Sequence, residues 1–396
     1  MNAISGISKT RRIVLAPFGR HTRYLFGGYL RHVFTVVSIL LAIALTIDLW
    51  PQFQIIAARG SGAVSSVWNV ARFAALRTPG LIAPLLPFAT FVGVLWTEVA
   101  HTQSGERMLV WNSGRSPIQC LAPALLLGLI LGAADFIMDG YLGPASMDIQ
   151  MRERLGRDGE ALDRSKPAKA AWIALPEGLL RAQIEFGPPP VLRDVAIFKR
   201  GANGRVLEVD TAPIATLDPG RSVWHLSNGQ YWTGGREQKP AFGSATRQVM
   251  QPFKERTVSL SMDPLWLTWY NLVPQYIPLP ILARLAASDA VPDAHGQYAT
   301  RLYVVLAEAV LPAAMALLAA SLSMLFLAYG TSAPALIGII FSGYTAHFAI
   351  KAGLILGQNG FMPPILAGFT APVLLFAATT AVLFVCNRQR RGAGGR

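Results

Sequence analysis

Charged residues are scarce in this chain. Only 14% of its 396 residues are Asp, Glu, Lys or Arg, whereas a soluble protein of this length carries about 25%. Hydrophobic residues make up 52% of the chain, and the mean hydropathy is +0.39. Because so few charges cannot cover the surface of a soluble protein of this size, the composition argues against a water-soluble enzyme.

Acidic residues and cysteines are scarcer still. The chain holds 22 acidic against 35 basic residues, for a net charge of +13, and two cysteines, Cys120 and Cys386. Two cysteines exclude a disulfide-rich secreted scaffold, and both lie in apolar stretches, as small core residues do. The position of the basic residues along the chain indicates which side of a membrane each loop faces.

The common catalytic motifs are missing as well. No Gly-x-x-x-x-Gly-Lys-Ser/Thr loop is present, so any ATP-driven step needs another polypeptide. The six histidines lack the spacing of a zinc protease, and no Gly-x-Ser-x-Gly elbow indicates a serine hydrolase. We therefore expect a non-catalytic chain that has no cofactor or metal of its own and binds no nucleic acid.

What is present is a set of six apolar runs, each near the roughly 20 residues that a helix needs to cross a bilayer. They form two groups of three, on either side of a long polar interval. The pattern predicts an N-terminal membrane bundle over residues 1–144, an external domain over 145–262 and a C-terminal bundle over 263–396. The runs cover residues 29–50, 80–100, 118–138, 302–329, 334–356 and 363–386.

Basic residues predict the membrane topology. The leader before residue 28 and the tail after Cys386 carry basic residues and no acid, so we expect both termini in the cytoplasm, as an even number of spans requires. The loops predicted on the cytoplasmic side are 101–117 and 330–333, and those predicted outside are 51–79, 139–301 and 357–362.

Short alternating runs fill the external interval. Residues 192–198 and 205–211 alternate apolar and polar for part of their length and flank a Gly-Ala-Asn-Gly turn. Short strands with turn signals at this spacing predict an all-β sandwich or a curled sheet. The Trp- and Tyr-rich segment 266–276 fits a chain returning to the membrane interface; the alternative is an aromatic core of the β domain.

A few ionisable residues lie inside the spans or at their ends, where each charge must face protein or water. They are Asp48, Glu98, Asp135, Asp139, Glu308, His347 and Lys351. For Asp48, Glu98 and Asp139, near span boundaries, we expect the side chain to extend to the interface. His347 and Lys351, four residues apart, share one helical face. That face could meet an anionic lipid headgroup or lie at a helix end near the outer interface.

Small residues in the third span predict close helix packing. Gly128 and Gly132, followed by Ala133 and Ala134, give this span a flat face. The partner helix cannot be named from the spacing.

The loop between spans two and three predicts a short amphipathic helix. Residues 106–111 can form about two turns before Gly114 ends the helix and Ser116 begins the next. Its apolar surface consists of Met108, Leu109 and either Val110 or Trp111. Such a helix in a cytosolic loop suits docking to a soluble partner, and the alternative is a simple interfacial connector.

Several segments are together typical of one protein family. They are residues 76–79, 86–88, 93–96, 105–116, 121–125, 192–198, 203–204, 311–312 and 362–367. In this order, and with three spans on each side of a β domain, the chain resembles the lipopolysaccharide-export permeases of the LptF/LptG type from about residue 20 to 388. Each segment alone is only weakly specific for this family, whereas the ordered set of segments is more specific.

The resemblance implies an α-helical protein of the bacterial inner membrane, with six transmembrane helices (3+3) and an inserted periplasmic, jellyroll-like β domain. It implies an ABC exporter of lipopolysaccharide in which this chain, more like LptG, pairs with an LptF-like permease on an LptB-like cytosolic ATPase dimer. The loop helix would insert into the ATPase through Glu106, with Gly114 and Ser116 closing the motif. Spans one and five would gate the cavity towards the membrane lipids, and the β domain would pass the lipid to an LptC/LptA-like bridge.

The chain departs from the family pattern in two places. Members often carry basic residues just outside the first span, where the lipid phosphates are thought to be met, but here the first base after that span is Arg59. The usual serine before Glu106 is Gly105. The candidate lipid contacts or gate residues are Asp48, Arg59, His347 and Lys351.

Two other functions fit the composition. A membrane-anchored scaffold or receptor would bind a protein or glycan through its β domain, but a pure anchor needs neither six spans nor glycine-patterned helices. A secondary transporter is disfavoured by the large central β domain and by the lack of broken-helix pairs in the sequence pattern.

Overall fold

The computed structural model describes residues 19–60, 62–112, 115–218, 223–234, 250–292, 296–328 and 330–393. Long helices occupy both ends of the described chain, and an antiparallel sheet lies between them. The predicted fold class, a helical membrane protein with an inserted β domain, is confirmed.

The first half of the chain is helical from its first described residues. Its helices are α1 (Arg20–Leu49), α2 (Phe53–Ala57), α3 (Ala63–Ile82), α4 (Leu86–Gln103), α5 (Glu106–Asn112), α6 (Pro117–Ile137), α7 (Gly143–Arg152) and α8 (Gly156–Ala161). A short 3₁₀ turn joins α3 to α4, and together they form one helical segment of 41 residues. The second span was predicted to begin at residue 80, because Arg72 and Arg77 lower the hydropathy of α3 although they do not interrupt its helix.

The second half contains six further helices. They are α9 (Pro264–Thr268), α10 (Leu279–Ala287), α11 (Gln297–Glu308), α12 (Leu311–Phe326), α13 (Ala333–Gln358) and α14 (Pro364–Ala393). Five helical segments of the described chain are long and apolar enough to cross a membrane, and the pair α11 and α12 makes a sixth if it is one span.

The fourth predicted span is broken. Helices α11 and α12 meet at 50°, with two residues between them. Pro312 lies in the first turn of α12, and its ring would clash with the carbonyl of Glu308 in an unbroken helix. The sequence pattern had not shown this break, whereas a secondary transporter would call for a matching break in the other half of the chain.

The inserted sheet has six described strands. They are β1 (Ala171–Leu175), β2 (Gly178–Glu185), β3 (Val191–Arg200), β4 (Val206–Asp218), β5 (Val223–Thr233) and β6 (Gln251–Ser259). All pairs are antiparallel and follow the order of the chain, so these strands form a single sheet rather than a two-sheet sandwich. One face of the sheet is apolar and buried, with Trp224 and Leu226 of β5 fully enclosed.

The aromatic segment after the sheet belongs to the same core as the strands. Trp266 is 7% exposed, and its indole N–H donates to the Tyr298 hydroxyl of α11 at 3.0 Å. The guanidinium of Arg164 stacks between Phe186 and Trp269, 5.1 and 5.2 Å from the two ring centroids. Burial there lowers the pKa of Arg164. These contacts support the alternative of an aromatic core, which extends from the sheet to the C-terminal bundle.

Candidate functional site

Helix α5, the predicted docking helix, lies in the short connection between α4 and α6. Gly105 precedes it with a φ of +76°, a left-handed conformation that favours glycine. At the far end, the Ser116 hydroxyl accepts from the Gln119 N–H at 3.3 Å and caps α6. Gly114 and the side chain of Trp111 fall outside what the structure describes.

One arginine of α5 is buried and holds this helix against the bundle. Arg107 is 7% exposed and forms an ion pair with Glu98 of α4. It also donates to the Ser323 carbonyl, in the last turn of α12, at 2.7 Å. Tyr29 of α1 donates to the same Glu98 carboxylate. We call these four residues the α5 joint, because Arg107 links the short helix directly to α4 and α12 and, through Glu98, to α1.

Glu106, the acid of the predicted docking helix, lies at the edge of this joint. Glu106 accepts a hydrogen bond from the Tyr24 hydroxyl of α1, at 3.1 Å to one carboxylate oxygen, and the His101 ring nitrogen is 3.6 Å from the other. Glu106 thus couples α5 to the start of α1.

The outer face of α5 is apolar and exposed. Met108 is 52% and Leu109 71% exposed. A short helix that is fixed underneath by a buried ion pair and carries large apolar side chains outside suits the groove of a partner protein.

A second set of ion pairs lies at the opposite end of α1. Arg77 of α3 donates to both carboxylate oxygens of Asp48, at 2.7 and 2.8 Å, and to Asp158 of α8 at 3.2 Å. Arg59, after α2, pairs with Glu160 of α8. We call these five residues the α8 joint. It ties the end of α1 to the helix that leads into the β domain.

A comparison with known protein families shows the family of this chain. The model of the family described as "Lipopolysaccharide export system permease LptF/LptG" matches residues 23–385, which include both joints and the sheet. The chain belongs to this family. No curated protein matches it. Membership supports a role as a permease subunit of lipopolysaccharide export and a multi-pass membrane protein, but it does not separate LptG from LptF, so the LptG assignment stays a prediction.

Two of the residues predicted to contact lipid form hydrogen bonds and ion pairs with other residues of this permease. Asp48 accepts from Arg77, and Arg59 donates to Glu160 and to two backbone carbonyls, including that of Glu153 at 3.2 Å. Lipid contact by either side chain stays a prediction, and it would require these bonds to open.

The other two candidates lie on α13 of the permease. His347 packs against Phe88 of α4, with ring centroids 5.3 Å apart. Lys351 lies within electrostatic range of a buried cluster contributed by α6, the turn after it and α11. The charged members of that cluster are Asp135, Asp139, Arg301 and Glu308. Lys351 therefore faces the bundle, as a charge within a span must.

Three acids that we expected to extend to the interface turn inward instead. Each is paired with an arginine from another element of the permease: Asp48 with Arg77, Glu98 with Arg107, and Asp139 with Arg301. The carboxylates are only 13 to 18% exposed. An extended side chain was therefore the wrong expectation for these acids, because an ion pair with further hydrogen bonds compensates desolvation within the protein. Their placement near the interface stays a prediction.

The flat face of α6 meets the break in the fourth span. A Cβ on Gly128 would lie 2.3 Å from the Ala313 Cα, and one on Gly132 would lie 2.1 Å from the Ala309 carbonyl oxygen. Neither position has room for a side chain. The partner that the spacing could not name is the junction of α11 and α12.

Sequence reasoning missed the basic partners at these sites. Arg77, Arg107 and Arg301 were not singled out, nor were Tyr24 and Tyr29, because each partner belongs to a different helix or loop. One property of the sequence could have indicated these pairs: each arginine lies on the same predicted side of the membrane as its acid.

Among the described residues, no group of three or more His, Cys, Asp and Glu side chains could hold a metal ion.

Proposed function

We propose that this lipopolysaccharide-export permease is driven by a separate cytosolic ATPase dimer, which docks on α5, and that it passes lipid to a periplasmic bridge through its β domain. In this proposal the chain pairs with a second, LptF-like permease in the inner membrane, and both of its termini are cytoplasmic. The α5 joint is the observation that carries the proposal.

Coupling to an ATPase requires that α5 is rigidly attached to the membrane helices. A docking helix can transmit force only if it moves together with the membrane helices, and α5 is joined to α1, α4 and α12 through Arg107, Glu98 and Tyr29. Breaking a buried ion pair of this kind costs about 3–5 kcal/mol. A shift of α5 is therefore expected to move these helices rather than to detach from them.

The proposed gate between the cavity and the membrane lipids lies at the first and fifth spans. Among the five long apolar helical segments of the described chain, those that contain α1 and α13, the first and fifth spans, are the least buried. Their exposed apolar side chains include Phe34 and Ile43 on α1, and Phe341 and Phe348 on α13. Such faces suit either lipid or a second permease. We assign α1 and α13 as the gate, with α1 driven directly from the α5 joint through Tyr29.

The last step is the exit towards the β domain. The far end of α1 is bound to α8 through Asp48, Arg77 and Asp158, and β1 begins ten residues after α8 ends. Movement of α1 is therefore coupled to the base of the sheet. The outer edge of β1 has no strand neighbour among the described residues, which suits lateral contact with a β domain of the bridge.

The test is capture of the ATPase. Leu109→Asp places a charge on the apolar face of α5 without touching the joint, and we expect it to reduce binding of the purified ATPase subunit at least tenfold. Leu207→Asp is a matched control, because Leu207 is 50% exposed on β4, and it should bind like the unchanged chain. Equal ATPase binding by both variants would remove the docking role from α5.

A second variant tests the role of Glu106. Glu106→Lys places a cation beside His101 and removes the acceptor of the Tyr24 hydroxyl. We expect it to weaken ATPase assembly or lipid release while membrane insertion stays normal. Normal assembly and release in this variant would contradict a role for Glu106.

A further inference from the structure

A basic groove runs between α1 and α4 beside the start of α5. It encloses about 550 Å³. Its charged and titratable lining comprises Arg23, Arg31, His32, His101 and Glu106. The groove is open laterally, since Arg23 and Arg31 are exposed on α1.

The two arginines of this groove are available to a ligand. Neither Arg23 nor Arg31 forms an ion pair within the described part of the chain. Glu106, the one carboxylate in the lining, already accepts from Tyr24 and has His101 beside it. With its histidines neutral, the groove therefore has a net charge of +1, and both of its guanidinium groups are unpaired within the described residues.

Their spacing allows both arginines to reach one anion. Arg23, Gly27 and Arg31 follow at four-residue intervals and so lie on one face of α1, with about 12 Å of helix between the arginines. A Cβ on Gly27 would meet no atom within 4 Å. The space above Gly27 is thus open, and two arginine side chains can close on a phosphate there with paired N–H donors.

The groove continues into an apolar surface. Trp96 of α4 is 46% exposed and stacks on His32, with ring centroids 5.0 Å apart. Phe34, the next exposed apolar residue along α1, is 71% exposed. Gly93 lets α4 approach the backbone of Val33, which closes the groove towards the middle of the bundle. Exposed tryptophan is typical of the membrane interface, so Trp96 marks the boundary between the cations on one side of the groove and the apolar surface around Phe34 on the other.

We propose that this groove binds an anionic phospholipid of the cytoplasmic leaflet, with its phosphate between Arg23 and Arg31 and its acyl chains along Phe34 and Trp96. A basic pocket between spans on the cytoplasmic side is the arrangement that recognises anionic headgroups. The lipid would lie next to Glu106 and α5. The leaflet assignment rests on the topology in the proposed function, whereas headgroup selectivity does not.

Trp96 provides the measurement. The full-length chain is placed in nanodiscs that contain either brominated phosphatidylglycerol or brominated phosphatidylcholine, and quenching of tryptophan fluorescence is compared. Subtracting the Trp96→Phe variant isolates this tryptophan from the other eight. Two arginines should give a preference for phosphatidylglycerol on the order of tenfold.

Two independent variants test the site. Arg23→Gln/Arg31→Gln removes the charge, and Gly27→Leu fills the open space while keeping both arginines; each should abolish the preference. Arg388→Gln, an exposed arginine on α14, should retain it. Equal quenching by the two lipids in the unchanged chain, or an undiminished preference in both site variants, would overturn the proposal.

A competition experiment identifies the source of the phosphate. Excess inorganic phosphate should leave the preference unchanged, because it lacks acyl chains. Full displacement by inorganic phosphate would instead show a site for free anions and overturn the lipid assignment. None of these readouts needs the ATPase, so the lipid site can fail while docking on α5 holds, and the reverse.

Discussion

At the α5 end of the bundle one buried ion pair, between Arg107 and Glu98, links α5 to α1, α4 and α12, whereas at the α8 end the ion pairs are several and more exposed. Arg107 is 7% exposed in its pair with Glu98. At the other end, Arg77 is 15% exposed, and Arg59 and Glu160 are 32 and 44% exposed. Since water screens exposed ion pairs, we expect the α5 end to be stiffer than the α8 end.

This difference matches the proposed direction of coupling. The end that would receive force from the ATPase is held by a buried ion pair, which is costly to break. The end next to the β domain is held by pairs that can exchange partners with water or with a lipid phosphate. A permease that must pass on a bulky amphiphile needs a rigid connection at the α5 end and a connection next to the β domain that can open.

The largest expected effect comes from breaking the α5 joint. Arg107→Met leaves Glu98 buried without a countercharge, and we expect a loss of about 3–5 kcal/mol in the free energy of unfolding. The measurement is the thermal unfolding of the full-length chain in detergent. Adding Glu98→Gln removes the buried charge but keeps an acceptor for Tyr29, so the double variant should recover at least half of the loss. A single variant as stable as the unchanged chain would contradict a stiff joint.

A smaller effect is expected at the centre of the α8 joint. Arg77→Met removes two hydrogen bonds to Asp48 and one to Asp158, worth together about 1.5–3 kcal/mol where they are partly screened. Hydrogen exchange should become faster in α8 and at the end of α1, with little change in α5. Faster exchange throughout the bundle would show that this joint is no more compliant than the other.

The smallest effect is expected at the exposed pair. Arg59→Gln should change the unfolding free energy by about 0.2–1 kcal/mol, as exposed ion pairs do, and high salt should reduce the difference further. Thermal unfolding at low and high salt measures both. A loss as large as that of Arg107→Met would erase the contrast between the two ends.

Much of this architecture could be predicted from the sequence. Apolar runs of sufficient length and the polar interval between them predicted the spans and the inserted β domain. The break before Pro312 could have been read from the clash that proline causes four residues upstream. The helical character of α3 was missed, because hydropathy reports the environment of a segment and not whether it is helical.

The ion pairs between elements were harder to predict, because their members lie on different helices or loops and some are far apart in sequence. Asp139 and Arg301 are separated by 162 positions, and no periodicity links them. Matching acids with arginines at the same predicted depth would have proposed all three pairs. The contact of Gly132 with Ala309 had no such signal, since small residues predict close packing but not the partner.

The most direct test of the account is the amount of lipopolysaccharide released per ATP hydrolysed by the assembled transporter. The Arg107→Met/Glu98→Gln permease keeps the exposed face of α5 but lacks the buried ion pair. We predict that it still binds the ATPase and supports hydrolysis, while the ratio of release to hydrolysis falls sharply. A ratio equal to that of the unchanged permease would contradict transmission of force through the α5 joint.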